Sequence, residues 1–248
     1  MESHGASAFV AFGPSHFASL VVIGVLAWAM IRWGSDSEER ASVGAKILAF
    51  ALLAHEIFKT WLWIDFYDQG FAENLPLHLC DAAVVAASVA LLTRKQWAYE
   101  LTYFWGLGGT LQALLTPDIP FGSPHPTFFT FMTSHGLVVI AALYATFVFR
   151  LRPYPISILR VWLATHLYAL AVTPVNLLLD ANYLYLRAKP AQASVIDHLG
   201  PWPWYLVALE GIILVSFALY YSPFFLRDRL TDAPFEAADA TADEAVPG

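Results

Sequence analysis

An intramolecular disulfide is excluded, because the chain carries a single cysteine, Cys80. Charge is scarce too: Asp, Glu, Lys and Arg make up 13% of 248 residues, far below what a water-soluble domain of that length carries. Basic residues number 13 against 20 acidic ones, so no nucleic-acid partner is expected. The metal-binding spacings HExxH and CxxC are missing, and neither a metal nor a cofactor is expected despite eight histidines. No internal repeat is visible, and no linker divides the chain.

What fills the chain instead is apolar. Hydrophobic residues make up 58%, and the mean hydropathy is +0.56. Runs long enough to cross hydrocarbon, which takes about 20 residues, recur at 17–33, 43–64, 75–92, 97–115, 127–149, 156–179 and 203–221. They lack the short alternation of barrel strands, so their backbone must bond within each segment. The expected fold is all-α, a polytopic membrane bundle of about seven transmembrane helices. Residues 1–226 form a single transmembrane domain, and 227–248 form an acidic, disordered tail. Asp232, Glu236, Asp239, Asp243 and Glu244 sit in that tail; without them the balance is 13 basic to 15 acidic. Arg32, Arg40, Lys46, Arg94, Lys95, Arg150, Arg152, Arg227 and Arg229 flank the spans on one side, and only Arg187 and Lys189 on the other. The positive-inside rule then puts the amino terminus outside and the carboxyl terminus in the cytoplasm. The first span has no basic residue before it and Arg32 after it, the reverse of a cleavable signal peptide, so it reads as a retained span.

With that orientation the polar residues gather in the outer half: His55, Glu56 and Lys59 in the second span, His78, Cys80 and Asp81 in the third, Gln112 in the fourth, His135 in the fifth, Asn176 in the sixth and Glu210 in the seventh. Ionisable side chains avoid lipid, which implies an outward-opening polar pocket. Glu56 and Lys59, three residues apart, also suit simple mutual neutralisation on one helix face. His166 reads as a helix contact, and His4 and His16 as interfacial residues. A free thiol is a weak nucleophile at neutral pH without a base. At about 1.5 Å per helical residue, Cys80 and His135 lie within a few ångströms of one depth. His78 is two residues from Cys80, on the opposite helix face, but shares a face with Asp81, which can fix its tautomer. Two outer connections stand out. One is the proline-rich Thr116-Pro-Asp-Ile-Pro-Phe-Gly-Ser-Pro-His-Pro, a shaped loop; the other runs from Asp180 to Tyr205 and suits either a lid or an aromatic interfacial anchor.

Five ordered motifs carry a resemblance: Leu75-Pro-Leu-His-Leu-Cys, Leu115-Thr-Pro-Asp, Phe128-Phe-Thr-Phe-Met-Thr-Ser-His-Gly, Asn182-Tyr-Leu-Tyr-Leu-Arg-Ala-Lys-Pro and Leu199-Gly-Pro-Trp-Pro-Trp-Tyr. Together they resemble the YwaF-like bacterial integral membrane proteins over nearly the whole chain. More distantly, the chain is similar to animal transmembrane acyltransferases of ether phospholipids, in which a cysteine and a histidine act, and to androgen-induced hydrolases of fatty-acid esters, which use a threonine and a histidine. By motif position the resemblance implies Cys80 and His135 as the acting pair, and the cysteine follows the acyltransferase pattern.

The expected function is an intramembrane lipid acyltransferase or lipid-ester hydrolase of the bacterial plasma membrane, working through an acyl-cysteine. Its partners are membrane lipids, a phospholipid or lysophospholipid. Gln112, Asn176 and Asn182 are candidate oxyanion donors, and Lys59, Arg187 and Lys189 candidate phosphate holders. The alternatives are a small-solute transporter or binding protein with an outward-facing polar pocket, and a structural subunit.

Overall fold

The structure, a computed structural model, describes residues 7–68, 70–190 and 195–230. His4 and the five tail carboxylates lie outside the described residues. The described chain is helical, in the order α1 (Pro14–Gly34), α2 (Glu38–Trp61), α3 (Phe71–Asn74), α4 (Leu79–Thr93), α5 (Gln96–Trp105), α6 (Leu111–Leu115), α7 (Pro126–Phe147), α8 (Pro155–Leu179) and α9 (Trp204–Leu230). Wider π-type turns extend α2 over Leu62–Phe66 and join α5 to α6 over Gly106–Thr110. Helix occupies all seven apolar runs, and α9 carries it to Leu230, into the stretch assigned to the tail.

Among the described residues, five helices are long and apolar enough to cross a membrane: α1, α2 with its π extension, α7, α8 and α9. The third run differs from expectation. Pro76 and an extended His78 (φ −69°, ψ 159°) delay its helix to Leu79, where Asp81 Oδ2 accepts from the His78 amide at 2.9 Å and caps the helix start. The 15 residues of α4 rise about 22 Å, short of a hydrocarbon core of about 30 Å. A helix of that length with Arg94 and Lys95 at one interface would leave its first turn inside the apolar slab. Irregular backbone at such depth is stable only when protein buries it.

Burial follows from packing. Helix α4 is sandwiched by α2, α5 and α7, and α1 lies against α2 and α7. Its buried face is mostly alanine (Ala83, Ala86, Ala87, Ala90), which lets neighbouring backbones approach. At the Arg94 end, the Tyr144 hydroxyl of α7 donates to the Ala41 carbonyl at 2.9 Å, in a slot left by Gly34 and Gly44. Helices α8 and α9 are peripheral and present Leu167, Leu170, Leu178, Val215 and Leu219 outward, as lipid-facing surfaces do.

Candidate functional site

The buried stripe of α2, Leu48, Leu52 and Glu56, follows helical spacing and continues into Lys59. Where that stripe meets the first turn of α4, the Lys59 ammonium lies 2.8 Å from Glu56 Oε1 and 2.6 Å from Asp81 Oδ1. The Cys80 thiol donates to the same Asp81 oxygen at 3.6 Å. Asp81 thus holds the helix start, the lysine and the thiol at once. The amino-terminal end of α4, where Asp81 lies, adds a favourable field for negative charge.

His135 approaches from α7, which packs directly against α4. Its Nδ1 lies 2.8 Å from the Phe131 carbonyl, which can only accept, so Nδ1 carries the proton and Nε2 keeps its lone pair. The ring stacks on Phe131 with centroids 4.0 Å apart and lies within electrostatic range of Lys59, Asp81 and His55. Among the described residues no hydrogen bond joins Cys80 to His135. What links them is the Lys59–Asp81 pair: the thiol bonds Asp81, and His135 lies within electrostatic range of both charges.

Tyrosines cover this cluster. Tyr168 of α8 donates to the Leu77 carbonyl at 3.0 Å, and Tyr183 donates to the Ala72 carbonyl at 2.7 Å while accepting from the Leu75 amide at 3.0 Å. The His78 ring packs edge-on against Tyr183, 5.1 Å between centroids, and lies 5.7 Å from Tyr185. Tyr185 donates to Asp118 Oδ2 at 3.1 Å, in the proline-rich loop. Burial, then the adjacent Asp118, pushes the Tyr185 phenol up, so it remains a donor. Burial also lifts Asp118 above the usual carboxylate range, and its Oδ1 has no partner among the described residues.

A family model described as the TMEM164 family matches residues 11–221. The chain belongs to the TMEM164 family. The matched span contains Lys59, Cys80, Asp81, Asp118, His135 and Tyr185, hence the ionic cluster and its cover. A protein of Treponema pallidum (strain Nichols) described as uncharacterized is 26% identical over 156 residues. That alignment covers 63% of this chain and 64% of the relative, under two thirds of its length. No solved structure matches.

The remaining sequence candidates of this family member are employed elsewhere. Gln112 is exposed and donates to Thr116 at 3.2 Å. Asn176 spends both ends of its amide on the Tyr183 backbone, at 2.7 and 3.0 Å. Asn182 accepts from the amides of Arg187 and Ala188, at 3.0 and 3.1 Å. Arg187 reaches the Asn176 and Ala181 carbonyls and Asp180, and Lys189 donates to the Asp197 carbonyl at 3.1 Å. These residues build the loop over the cluster, and the amides of Asn176 and Asn182 are consumed there rather than offered to an oxyanion. His78 is corrected as well: Asp81 bonds its amide, because His78 precedes the helix instead of sharing a face with Asp81. So is His16, which is fully buried, accepting from the Phe12 amide at 2.8 Å and contacting the Leu114 carbonyl at 2.7 Å. Tyr168 and Asp118 were missed as site residues, although Tyr168 starts an i, i+4, i+8 series through Val172 to Asn176. Among the described residues, no group of three His, Cys, Asp or Glu side chains is set to hold a metal ion.

Proposed function

We propose that this chain is a membrane-embedded lipid acyltransferase or lipid-ester hydrolase with Cys80 as nucleophile, acting on a phospholipid or lysophospholipid of the bacterial plasma membrane. One observation carries the reading: the only thiol of the chain sits in the first turn of a short helix, bonded to a carboxylate that is itself ion-paired, and the helix packed against it, α7, carries His135 within electrostatic range of that same ion pair. Asp81 aims the thiol by accepting its hydrogen bond, and Lys59 holds Asp81 in place. His135 Nε2 takes the thiol proton when the thiol turns from Asp81. The sulfur bonds to the ester carbonyl carbon, the ester C–O bond breaks, and the leaving lysolipid oxygen takes the proton from His135. In the second half, an acceptor hydroxyl or water gives its proton to His135, its oxygen bonds to the carbonyl carbon, and the thioester C–S bond breaks. Sulfur recovers the proton.

The test is intact-protein mass spectrometry after incubation with mixed phospholipids. A fatty-acyl increment that hydroxylamine removes, that Cys80→Ser lacks and that His135→Ala accumulates more slowly is the expected result. A folded wild-type protein that stays unmodified across lipid classes overturns it. Solute uptake persisting in Cys80→Ala would move the assignment to the transporter.

A further inference from the structure

The loop that covers Cys80 has a second side. Tyr185 faces His78 and Asp118, whereas the next two residues, Leu186 and Arg187, line a cavity of about 550 Å³ between the end of α8 and the start of α9. Thr173 and Leu177 of α8, and Trp202 and Leu206 from the α9 side, complete a mostly apolar wall. Such a volume suits a small-molecule or lipid ligand.

The same helix faces continue away from the loop. Thr173 and Leu177 lie seven and eleven residues from His166, and Leu206 lies four from Glu210. At the lower end His166 Nε2 meets Glu210 Oε1 at 3.2 Å, and Trp162 Nε1 donates to Glu210 Oε2 at 2.9 Å. The cavity itself ends at Thr173 and Leu206, and His166 lies about 16 Å along α8 from Leu177, close to the depth of one leaflet in a core of about 30 Å. His166 and Glu210 keep 41% and 39% of their side chains exposed, so this floor opens sideways rather than into the bundle.

The mouth is cationic. Arg187 Nη1 is held by the Asn176 and Ala181 carbonyls and by Asp180, but Nε and Nη2 have no hydrogen-bond partner among the described residues. The Asp180 carboxylate is 91% exposed, where an ion pair is weak and leaves the guanidinium available to a better anion. A guanidinium edge fixed by its other nitrogen matches a phosphate. Trp202, with its indole donating to the Leu186 carbonyl at 3.1 Å, stands at the same level, as interfacial tryptophans do.

We propose that the α8–α9 crevice is a phospholipid-binding site, with the phosphate on Arg187 and one acyl chain lying along Thr173, Leu177 and Leu206 toward the His166–Glu210 bridge. The site is distinct from the Cys80 cluster, separated from it by the Tyr185–Arg187 loop, and stands whether or not Cys80 carries an acyl group.

Native mass spectrometry of the full chain, delipidated in detergent, tests this with phosphatidylglycerol, diacylglycerol and inorganic phosphate as probes. Expected is one retained phosphatidylglycerol, with diacylglycerol held at least about ten-fold more weakly and inorganic phosphate failing to displace the lipid. Leu206→Trp fills the crevice without touching the loop and should cut retention by about ten-fold or more. Arg187→Gln should erase the preference over diacylglycerol, and Cys80→Ser should bind as wild type does. Equal retention by wild type and Leu206→Trp overturns the proposal. So does displacement by inorganic phosphate, or a lipid-free dimer that Leu206→Trp dissociates.

Discussion

Replacing Lys59 with methionine removes the one cation from a cluster that holds two carboxylates. Formally Glu56, Lys59 and Asp81 sum to −1; Lys59→Met leaves −2, and Glu56→Gln leaves zero. The Asp81 side chain is 5% exposed and that of Glu56 11%, so water does little to stabilise the surviving pair. Stripping one partner from a buried ion pair costs about 3–5 kcal/mol, and Lys59→Met should fall in that range. Glu56→Gln should cost no more than about 1 kcal/mol, because the Lys59–Asp81 contact at 2.6 Å persists and Glu56 Oε2 has no hydrogen bond to lose among the described residues. Reversible SDS unfolding in mixed micelles, followed by tryptophan fluorescence, gives both values. A Lys59→Met cost below about 1 kcal/mol, or a Glu56→Gln cost exceeding it, would refute the reading of Asp81 and Lys59 as the essential pair with Glu56 as the spare.

Three further perturbations probe the frame around the site. A methyl group at Gly44 would meet Tyr144 Cζ at 3.0 Å and Trp33 at 3.2 Å, so Gly44→Ala should cost about 1–3 kcal/mol, less in a Tyr144→Phe background; an unchanged melting temperature would count against the close contact of α2 and α7. His16→Phe keeps the ring packing on Phe9 and Phe12 but strands the Phe12 amide and the Leu114 carbonyl, for an expected loss of about 2 kcal/mol in the same unfolding assay. Burial raises Asp118 above its unfolded pKa, with Tyr185 opposing and Asp197 reinforcing the shift, so its contribution is fully present below the unfolded value near 3.8 and is lost as pH rises through the folded value. Asp118→Asn should therefore be more stable than wild type at pH 7 and flatten the melting temperature between pH 3.5 and 7; an unchanged slope would remove Asp118 as its source.

The helical positions were legible from hydropathy alone, since a 20-residue apolar run has few other ways to satisfy its backbone. Helix length was not. The run 75–92 is apolar throughout, and what shortens its helix is Pro76 together with a carboxylate that caps three residues ahead of itself, a local competition that hydropathy does not register. The Glu56–Lys59 pair could be read from its spacing, but its third member, Asp81, comes from another helix. His16 looked interfacial because the partners that bury it, Phe12 and Leu114, are ordinary apolar residues recruited through their backbones. Asn176 and Asn182 were found as polar residues at the right level and misread as free, since only the fold shows that Tyr183, Arg187 and Ala188 have already claimed them.

The shortened α4 also explains why polar groups gather where they do. A full-length span would carry Cys80 and Asp81 toward the headgroups, where water screens charge and a thiol gains nothing from an adjacent ion pair. Starting the helix at Leu79 sinks its first turn, so the buried Asp81 carboxylate takes its counter-charge from Lys59 of α2, 2.6 Å away, rather than from water. The extended residues before Leu79 then need cover for their own amides and carbonyls, which Tyr168 and Tyr183 supply at Leu77, Leu75 and Ala72. The ion pair, the tyrosine cover and the position of the thiol are thus three consequences of one helix start.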